Sequence, residues 1–299
     1  MTQRKLLKTW QGLSINQKIV LYAYLSSCRD IPLSGGYMHK GDLQILGMRC
    51  NRDRFLALLE KFLLPPQTSD VLFTLQELGE KGFVRWPLEE RWKPKRILAP
   101  KTYDFLLFSP SLSGEDINLR NKFYDKVALI KMAIVLQKET GFILKLIENN
   151  KLSKEQSTQI FQVAVCASPT LIVEKLMELG ADFNAPDIDG ELPVINAASR
   201  QKDVNVFKLL NSKGCSILEH CHYGNIIHCA THNPNPSVLE YLLTLVPKEY
   251  IEEKNCQEWR TPLGIAYIWK KRKAAKILIK AGASEENAKT ADNPHIFKL

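Results

Sequence analysis

Residues 189–198 read Asp189-Gly190-Glu191-Leu192-Pro193-Val194-Ile195-Asn196-Ala197-Ala198, and the first alanine of this stretch belongs to a series. An alanine returns at the same place of a two-helix pattern five times, with spacings of 31, 33, 33 and 36 residues, at Ala133, Ala164, Ala197, Ala230 and Ala266. A period near 33 residues predicts stacked helical hairpins, each covering the apolar face of its neighbour. We therefore expect a helical solenoid in the C-terminal half of the chain.

Other residues of the repeat predict where its helices begin and end. Pro193 and Pro262 suit the first position of a helix, where the N–H has no intrahelical partner, and Thr261 suits an N-cap. Glycines are expected to end the second helices in a left-handed conformation, at Gly180, Gly214 and Gly282. The repeated alanines should be buried, because a larger side chain there would force neighbouring hairpins apart.

Several segments of the sequence resemble the ankyrin repeat, whose pattern runs D-x-x-G-x-T-P-L-H-x-A-A and ends in G-A-x-x-N. The matching pieces are 189–198, Leu179-Gly180-Ala181-Asp182-Phe183-Asn184, Thr261-Pro262-Leu263 with Ala266, and Ala281-Gly282-Ala283. His228 keeps the histidine of the L-H-x-A element, whereas Trp259 stands where the fifth repeat should have its turn glycine. The resemblance covers residues 124–288 and implies five repeats. It also implies that His228 bonds to the backbone of a neighbouring loop.

The first 110 residues are expected to form a separate, small α+β domain, joined to the repeats by a linker at 111–123; a tail follows at 289–299. Ser14 is a candidate N-cap, with Ile15, Ile19, Tyr22 and Ala23 on one helical face. Two short strands are expected at 83–86 and 97–98. The piece Leu75 to Trp86 resembles the last helix and first wing strand of the winged-helix family.

Charge leaves two hypotheses open for this N-terminal domain. Residues 1–120 carry 18 Lys+Arg against 12 Asp+Glu, so this part is the more basic. A winged-helix DNA reader would use basic side chains, for which the candidates are Arg49, Arg52, Arg54, Arg91, Lys93, Lys95 and Arg96. Against this, Asp70, Glu77 and Glu80 on the helix before the wing would repel phosphate. The alternative is a protein-interaction module whose basic hairpin is simply solvated.

Composition excludes several classes of protein. The chain of 299 residues, 45% of them hydrophobic, is long enough for two domains and can bury a full core. We expect no membrane span, because no apolar run reaches about 18 residues, and no classical secretory signal. The seven cysteines form no C-x-x-C motif, which indicates reduced thiols rather than a disulfide framework.

Two further clusters suggest chemistry. Four histidines and three cysteines lie between Cys215 and His232, and such crowding could hold zinc. No cysteine pair completes a finger, however, so we favour structural roles and predict no metal and no cofactor. The run Trp269-Lys270-Lys271-Arg272-Lys273 could be a nuclear-import signal or the soluble cap of a terminal repeat, and we favour the cap.

The resemblance implies a non-enzymatic protein that binds a protein partner through the concave face and hairpin tips of the stack. The expected contact residues are Ile188, Asp189, Glu191, Ser199, Arg200, His222, His232, Asn233, Glu258, Trp259, Arg260, Ile268 and Trp269. We expect a monomer, and nucleic acid is the alternative partner. An enzyme with its catalytic residues in the N-terminal domain is a further rival. The chain also resembles effectors of intracellular bacteria, which implies a cytoplasmic location, or delivery into the cytosol or nucleus of a host cell.

Overall fold

The computed structural model describes residues 3–27, 57–61, 74, 77–78, 80–81, 100–187, 190–221, 223–255 and 260–288. This part of the chain is mainly helical, as the sequence predicts. It contains no β-strand, and its isolated bridge pairs Cys221 with Gly224. The strands predicted at 83–86 and 97–98 lie outside the described residues. No helix within the described ranges is long and apolar enough to cross a bilayer.

The chain divides into two units between Met132 and Ala133. The named helices of the first unit are α1 (Gln3–Gln11), α2 (Ile15–Ser27), α3 (Pro100–Phe108) and α4 (Gly114–Phe123). The next helix, α5 (Lys126–Val135), contains the point of division. The first unit therefore extends beyond residue 110, where we expected its end.

An aromatic cluster forms the described core of the first unit. The Tyr22 ring lies edge-on to Trp10 with centroids 5.6 Å apart, and it stacks on Phe123 at 5.9 Å. Tyr124 adds a further edge contact with Tyr22 at 6.5 Å. The Tyr22 hydroxyl donates a 2.8 Å hydrogen bond to the carbonyl oxygen of Leu106. Burial raises the pKa of Tyr22, so this hydroxyl keeps its proton and stays a donor.

The predicted linker, 111–123, consists largely of helix α4, which packs on α2. Ser113 caps α4 by accepting a hydrogen bond from the backbone N–H of Asp116, whose carboxylate in turn accepts from the Ser113 N–H. The same carboxylate lies 2.8 Å from Nζ of Lys18, on α2. Ser–x–x–Asp is a capping signal that the sequence analysis overlooked.

Helix α2 begins as predicted but exposes one expected core residue. Ser14 accepts a 3.2 Å hydrogen bond from the backbone N–H of Gln17, which confirms it as the N-cap. Tyr22 and Ala23 are buried and Ile19 is half-buried. Ile15 is 60% exposed, because it is the first residue of the helix and precedes the turns that pack.

The second unit continues as a succession of short helices. Their bounds are α6 (Thr140–Asn149), α7 (Lys154–Ala167), α8 (Thr170–Glu178), α9 (Pro193–Ala198), α10 (Val204–Ser212), α11 (Ile226–Ala230), α12 (Pro236–Leu243), α13 (Glu249–Glu252), α14 (Pro262–Ile268), α15 (Arg272–Lys280) and α16 (Glu285–Ala288). Five pairs of successive helices each contain one of the repeated alanines in the first helix: α5–α6, α7–α8, α9–α10, α11–α12 and α14–α15.

Consecutive pairs pack first helix on first helix and second helix on second helix. The first helices contact one another in the order α7, α9, α11 and α14. The second helices contact one another in the order α6, α8, α10, α12 and α15. The three middle pairs thus contact a pair on either side, and the first and last pairs contact one neighbouring pair each.

The five repeated alanines are all buried, which confirms that prediction. Each lies in the first helix of its pair, and each is at most 1% exposed. Because an alanine carries no atoms beyond Cβ, the backbones of adjacent first helices can approach closely at this position. Packing of this kind tolerates added methylene groups poorly.

The predicted helix ends are also confirmed. Pro193 and Pro262 occupy the first turns of their helices, and the Thr261 hydroxyl accepts from the backbone N–H of Gly264. Gly180, Gly214 and Gly282 have φ of 82°, 75° and 102°. At all three ends, the N–H of the residue after the glycine bonds to a carbonyl oxygen in the last turn of the helix. Three second helices therefore stop by one repeated mechanism.

Candidate functional site

Several predicted contact residues lie in the turns that follow the first helices. Ser199 and Arg200 are half-buried after α9, His232 is half-buried after α11, and Ile268 and Trp269 end α14. Trp269 is 37% exposed, which is high for so large an apolar side chain. We call these five residues the turn surface. Since α9, α11 and α14 contact one another in that order, their three turns are neighbours.

Rings from two turns meet at one end of this surface. The His232 ring lies edge-on to the Trp269 ring, with centroids 5.9 Å apart. On its other side, Nε2 of His232 lies 3.2 Å from the hydroxyl of Tyr223. Lys271 adds a 3.2 Å hydrogen bond from Nζ to the carbonyl oxygen of His232. The repeat pattern indicated His232 and Trp269, whereas it carried no signal for Tyr223 or Lys271.

Asn233, predicted as a contact residue, is instead buried between two hairpins. Its Nδ2 atom donates to the carbonyl oxygens of Ala198 and Gln201, each at 2.8 Å. Its Oδ1 atom accepts a 2.8 Å bond from the backbone N–H of Asn235. Its amide group is therefore hydrogen-bonded within the protein. Asn233 joins the α9 and α11 turns and does not face a partner.

Gln201 makes the same connection one hairpin earlier. Its Nε2 atom donates to the carbonyl oxygens of Val165 and Ser168, each at 2.9 Å, and its Oε1 atom accepts from the N–H of Asp203. Buried amides therefore satisfy carbonyls at the C-terminal ends of α7 and α9, which would otherwise lack partners. The sequence analysis missed Gln201. The signal that could have found it is its position about one helical turn after the repeated alanine, which resembles the position of Asn233.

Glu191 is also buried, at 5% exposure, and not at the surface as we expected. Its backbone N–H donates to Oδ1 of Asp187 at 3.0 Å, and its carbonyl oxygen accepts from the N–H of Asp187 at 2.9 Å. The pKa of the Cys229 thiol is raised by its hydrogen bond with Cys221 and by burial, and the charge of Glu191 adds to this rise. Glu191 is therefore part of the buried interior.

Arg200 and Arg260 both combine partial exposure with internal contacts. The guanidinium of Arg200 interacts with the buried thiol of Cys166; burial raises the pKa of that thiol, and Arg200 opposes the rise. The backbone N–H of Arg260 donates to Oδ1 of Asn255 at 2.9 Å. Its carbonyl oxygen accepts the bond from His228, described below. Nε and Nη1 of Arg200 are buried, so most of its guanidinium faces the interior although the residue is half-exposed. The backbone of Arg260 bonds within the fold.

His228 bonds to the neighbouring loop, as the resemblance implied. Its Nε2 atom donates to the carbonyl oxygen of Arg260 at 3.1 Å, and its Nδ1 atom accepts from the N–H of Asn225 at 3.2 Å. Because a carbonyl oxygen can only accept, the neutral ring that fits these two partners carries its proton on Nε2. Nδ1 also lies 2.9 Å from Oδ1 of Asn225. Burial lowers the pKa of His228 to about 4, so the ring stays neutral at physiological pH.

The Cys/His cluster separates into unrelated contacts. His220 pairs with Glu253 at 2.6 Å, and Cys215 donates to Oδ1 of Asn184 at 3.4 Å. Across the described residues, no three His, Cys, Asp or Glu side chains converge as metal ligands would. Among the described members of the cluster, Cys221 and Cys229 lie in contact, with their sulfurs 3.7 Å apart.

Twelve predicted site residues lie outside the described residues. They are the hairpin-tip residues Ile188, Asp189, His222, Glu258 and Trp259, and the basic residues Arg49, Arg52, Arg54, Arg91, Lys93, Lys95 and Arg96. No protein-family model matches the sequence, and no curated protein is significantly similar to it.

Proposed function

We propose that the second unit is an ankyrin-type stack and that the chain is a non-enzymatic protein that binds a protein partner through the turn surface. The observation that carries this proposal is the contrast within each hairpin. The first helices are buried along most of their length, whereas the turns after α9, α11 and α14 expose polar, basic and aromatic groups.

Rigidity of these turns supports a binding role. Asn233 bonds the α11 turn to the α9 turn, and Lys271 bonds the α14 turn to His232. A surface held in place before binding loses little conformational entropy when a partner docks. The turn surface also carries the exposed Trp269, and tryptophan is one of the residue types that most often dominate the energy of protein interfaces.

Charge supports an acidic partner. Lys270, Arg272 and Lys273 are exposed directly after Trp269. A basic surface accelerates encounter with an acidic one and rejects a basic one. The partner that fits best is therefore a protein segment with acidic residues around an apolar side chain that contacts Trp269.

The proposal can be tested by capture with two matched variants. The immobilised chain is exposed to a lysate of cultured human cells, the type of partner source that the effector resemblance suggests. Wild type is compared with Trp269→Ala and with Ile279→Ala. Both parent residues are 37% exposed, but Ile279 lies on the second helix α15. A captured protein is then purified, and its affinity for each chain is measured by isothermal titration calorimetry.

We expect Trp269→Ala to weaken the binding of the purified partner about 30-fold, because truncating a central tryptophan costs roughly 2 kcal/mol or more. Ile279→Ala should leave the affinity unchanged. The affinity of the wild type should fall with added salt. A partner that binds Trp269→Ala as tightly as wild type, or that is lost equally with Ile279→Ala, would contradict binding through the turn surface.

A further inference from the structure

Two cysteines of the fourth hairpin lie in contact through their sulfur atoms. Cys221 is half-buried in the turn that the bridge to Gly224 closes, and Cys229 is buried on α11. Their Sγ atoms are 3.7 Å apart. A disulfide bond needs a separation of about 2.05 Å, so the sulfurs must approach by less than 2 Å.

The polar groups around the pair distinguish the two sulfurs. Sγ of Cys221 donates to the carbonyl oxygen of Gly224 at 3.1 Å. It also accepts a 3.3 Å hydrogen bond from the backbone N–H of Tyr223 and can accept another from the Cys229 thiol. The hydrogen bond with Cys229 is the main reason that the pKa of Cys221 is lowered, and it raises the pKa of Cys229. Cys221 is thus the sulfur that loses its proton first. It is also the more accessible of the two.

The other described cysteines are placed differently. Sγ of Cys166 donates to the carbonyl oxygen of Gln162 at 3.6 Å, and Sγ of Cys215 donates to Oδ1 of Asn184 at 3.4 Å. Both are buried, and these hydrogen bonds connect them to oxygen atoms and not to a second thiol. They serve as internal controls for the pair.

We propose that Cys221 and Cys229 form a reversible intramolecular disulfide, in which Cys221 reacts first with a small-molecule disulfide such as oxidised glutathione and Cys229 resolves the product. This modification site is independent of the binding role proposed above. It would fasten the 221–224 turn to α11.

The reaction is a balanced pair of thiol–disulfide exchanges. The Cys221 thiolate attacks one sulfur of oxidised glutathione, forming a mixed disulfide and releasing one glutathione thiolate. Cys229 then loses its proton to solvent, and its sulfur attacks Sγ of Cys221. The mixed disulfide breaks and a second glutathione thiolate leaves. Two cysteine thiols are oxidised while one glutathione disulfide is reduced to two thiols.

The test incubates the native chain with a graded ratio of oxidised to reduced glutathione. Exchange is quenched with acid, free thiols are alkylated in denaturant, and mass spectrometry locates the alkyl groups. We expect Cys221 and Cys229 to lose alkylation together, and to regain it when the mixture is reduced again. Cys166 and Cys215 should stay alkylated throughout.

Two variants separate the roles of the sulfurs. In Cys229→Ser the glutathione adduct should accumulate on Cys221, because nothing resolves it. In Cys221→Ser the buried Cys229 should stay free. Circular dichroism checks that each variant is folded, and the wild-type measurement stands even where a variant is not. A stable glutathione adduct on wild-type Cys221, a disulfide between Cys221 and any other cysteine, or full alkylation of both at every ratio would overturn the proposal.

Discussion

Nδ2 of Asn233 lies 2.8 Å from the carbonyl oxygen of Ala198, which belongs to the preceding hairpin. The same nitrogen donates to the carbonyl oxygen of Gln201, at 2.8 Å. The side-chain amide of Asn233 thus donates to carbonyl oxygens at the C-terminal end of α9, although it lies 35 residues after Ala198 in the chain. Successive hairpins are held together by such amides as well as by apolar packing.

Replacing Asn233 by alanine should reduce the free energy of unfolding by about 2–4 kcal/mol. The change removes two buried hydrogen bonds and leaves both carbonyl oxygens without this donor, and an unsatisfied buried group costs about 1–3 kcal/mol. Urea denaturation measures the effect. Asn211→Ala is the control, because Asn211 is exposed on α10 and its replacement should stay within about 0.5 kcal/mol. Equal effects of the two changes would contradict the role of Asn233.

Acidification should destabilise the second unit through His228. Burial lowers its folded-state pKa to about 4, below the ordinary histidine value of about 6.5. As pH falls below 6.5, the unfolded chain binds a proton that the folded chain refuses, so unfolding becomes more favourable. The loss amounts to about 2 kcal/mol between pH 7.5 and pH 5.

The measurement compares urea denaturation of wild type and His228→Gln across this pH range. The variant should show a flatter dependence on pH, whatever its absolute stability, because glutamine does not titrate. Identical slopes for the two proteins would show that His228 is not held neutral by the fold.

Enlarging a repeated alanine should strain the contact between first helices. Ala197→Leu is expected to cost about 1–3 kcal/mol, because the added carbons must fit where α9 meets α7 and α11. Ala167→Leu makes the same change at an exposed residue that ends α7 and should be nearly neutral. Thermal unfolding followed by circular dichroism distinguishes the two. A tolerated leucine at position 197 would mean that the helices are not closely packed there.

Gly224→Ala should be more harmful than Gly214→Ala. Both glycines have positive φ, at 131° and 75°. A Cβ at position 214 meets nothing within 4 Å, so only the backbone strain of roughly 1 kcal/mol applies. At position 224 a Cβ would lie 2.8 Å from Nδ1 of His228, so we expect about 3 kcal/mol from strain and displaced contacts together. Similar costs for the two variants in urea denaturation would argue against the close approach of Gly224 to His228.

The sequence predicted where the helices of each pair lie along the chain. It did not predict which groups the side chains of the turns contact. The alanine period, the prolines and the helix-ending glycines located the helix pairs. Each of these residue types fits a local steric condition: close packing for alanine, the first turn of a helix for proline and positive φ for glycine. Asn233 and Glu191 were expected at the surface and are buried. A turn residue is polar whether it meets solvent or a neighbouring carbonyl, so residue type does not distinguish the two cases.

The first unit shows the same limit. Ser14 was correctly predicted as a cap, since capping depends on residues next to each other in the chain. The helix at 114–123 was taken for a linker, although Ser113 and Asp116 carry a capping signal. Its contact with α2 spans about a hundred residues of sequence, and no local pattern encodes such a contact.

The sequence by itself determined the helical repeat, its five small core residues and the places where helices begin and end, because these follow from backbone sterics within a few residues. Only the tertiary structure decided which polar side chains face outward. It also decided that Tyr223 meets His232, that His228 bonds to Arg260 and that Cys221 contacts Cys229. Hydrogen bonds and sulfur contacts depend on distances of a few tenths of an ångström between turns, which are set when neighbouring hairpins pack.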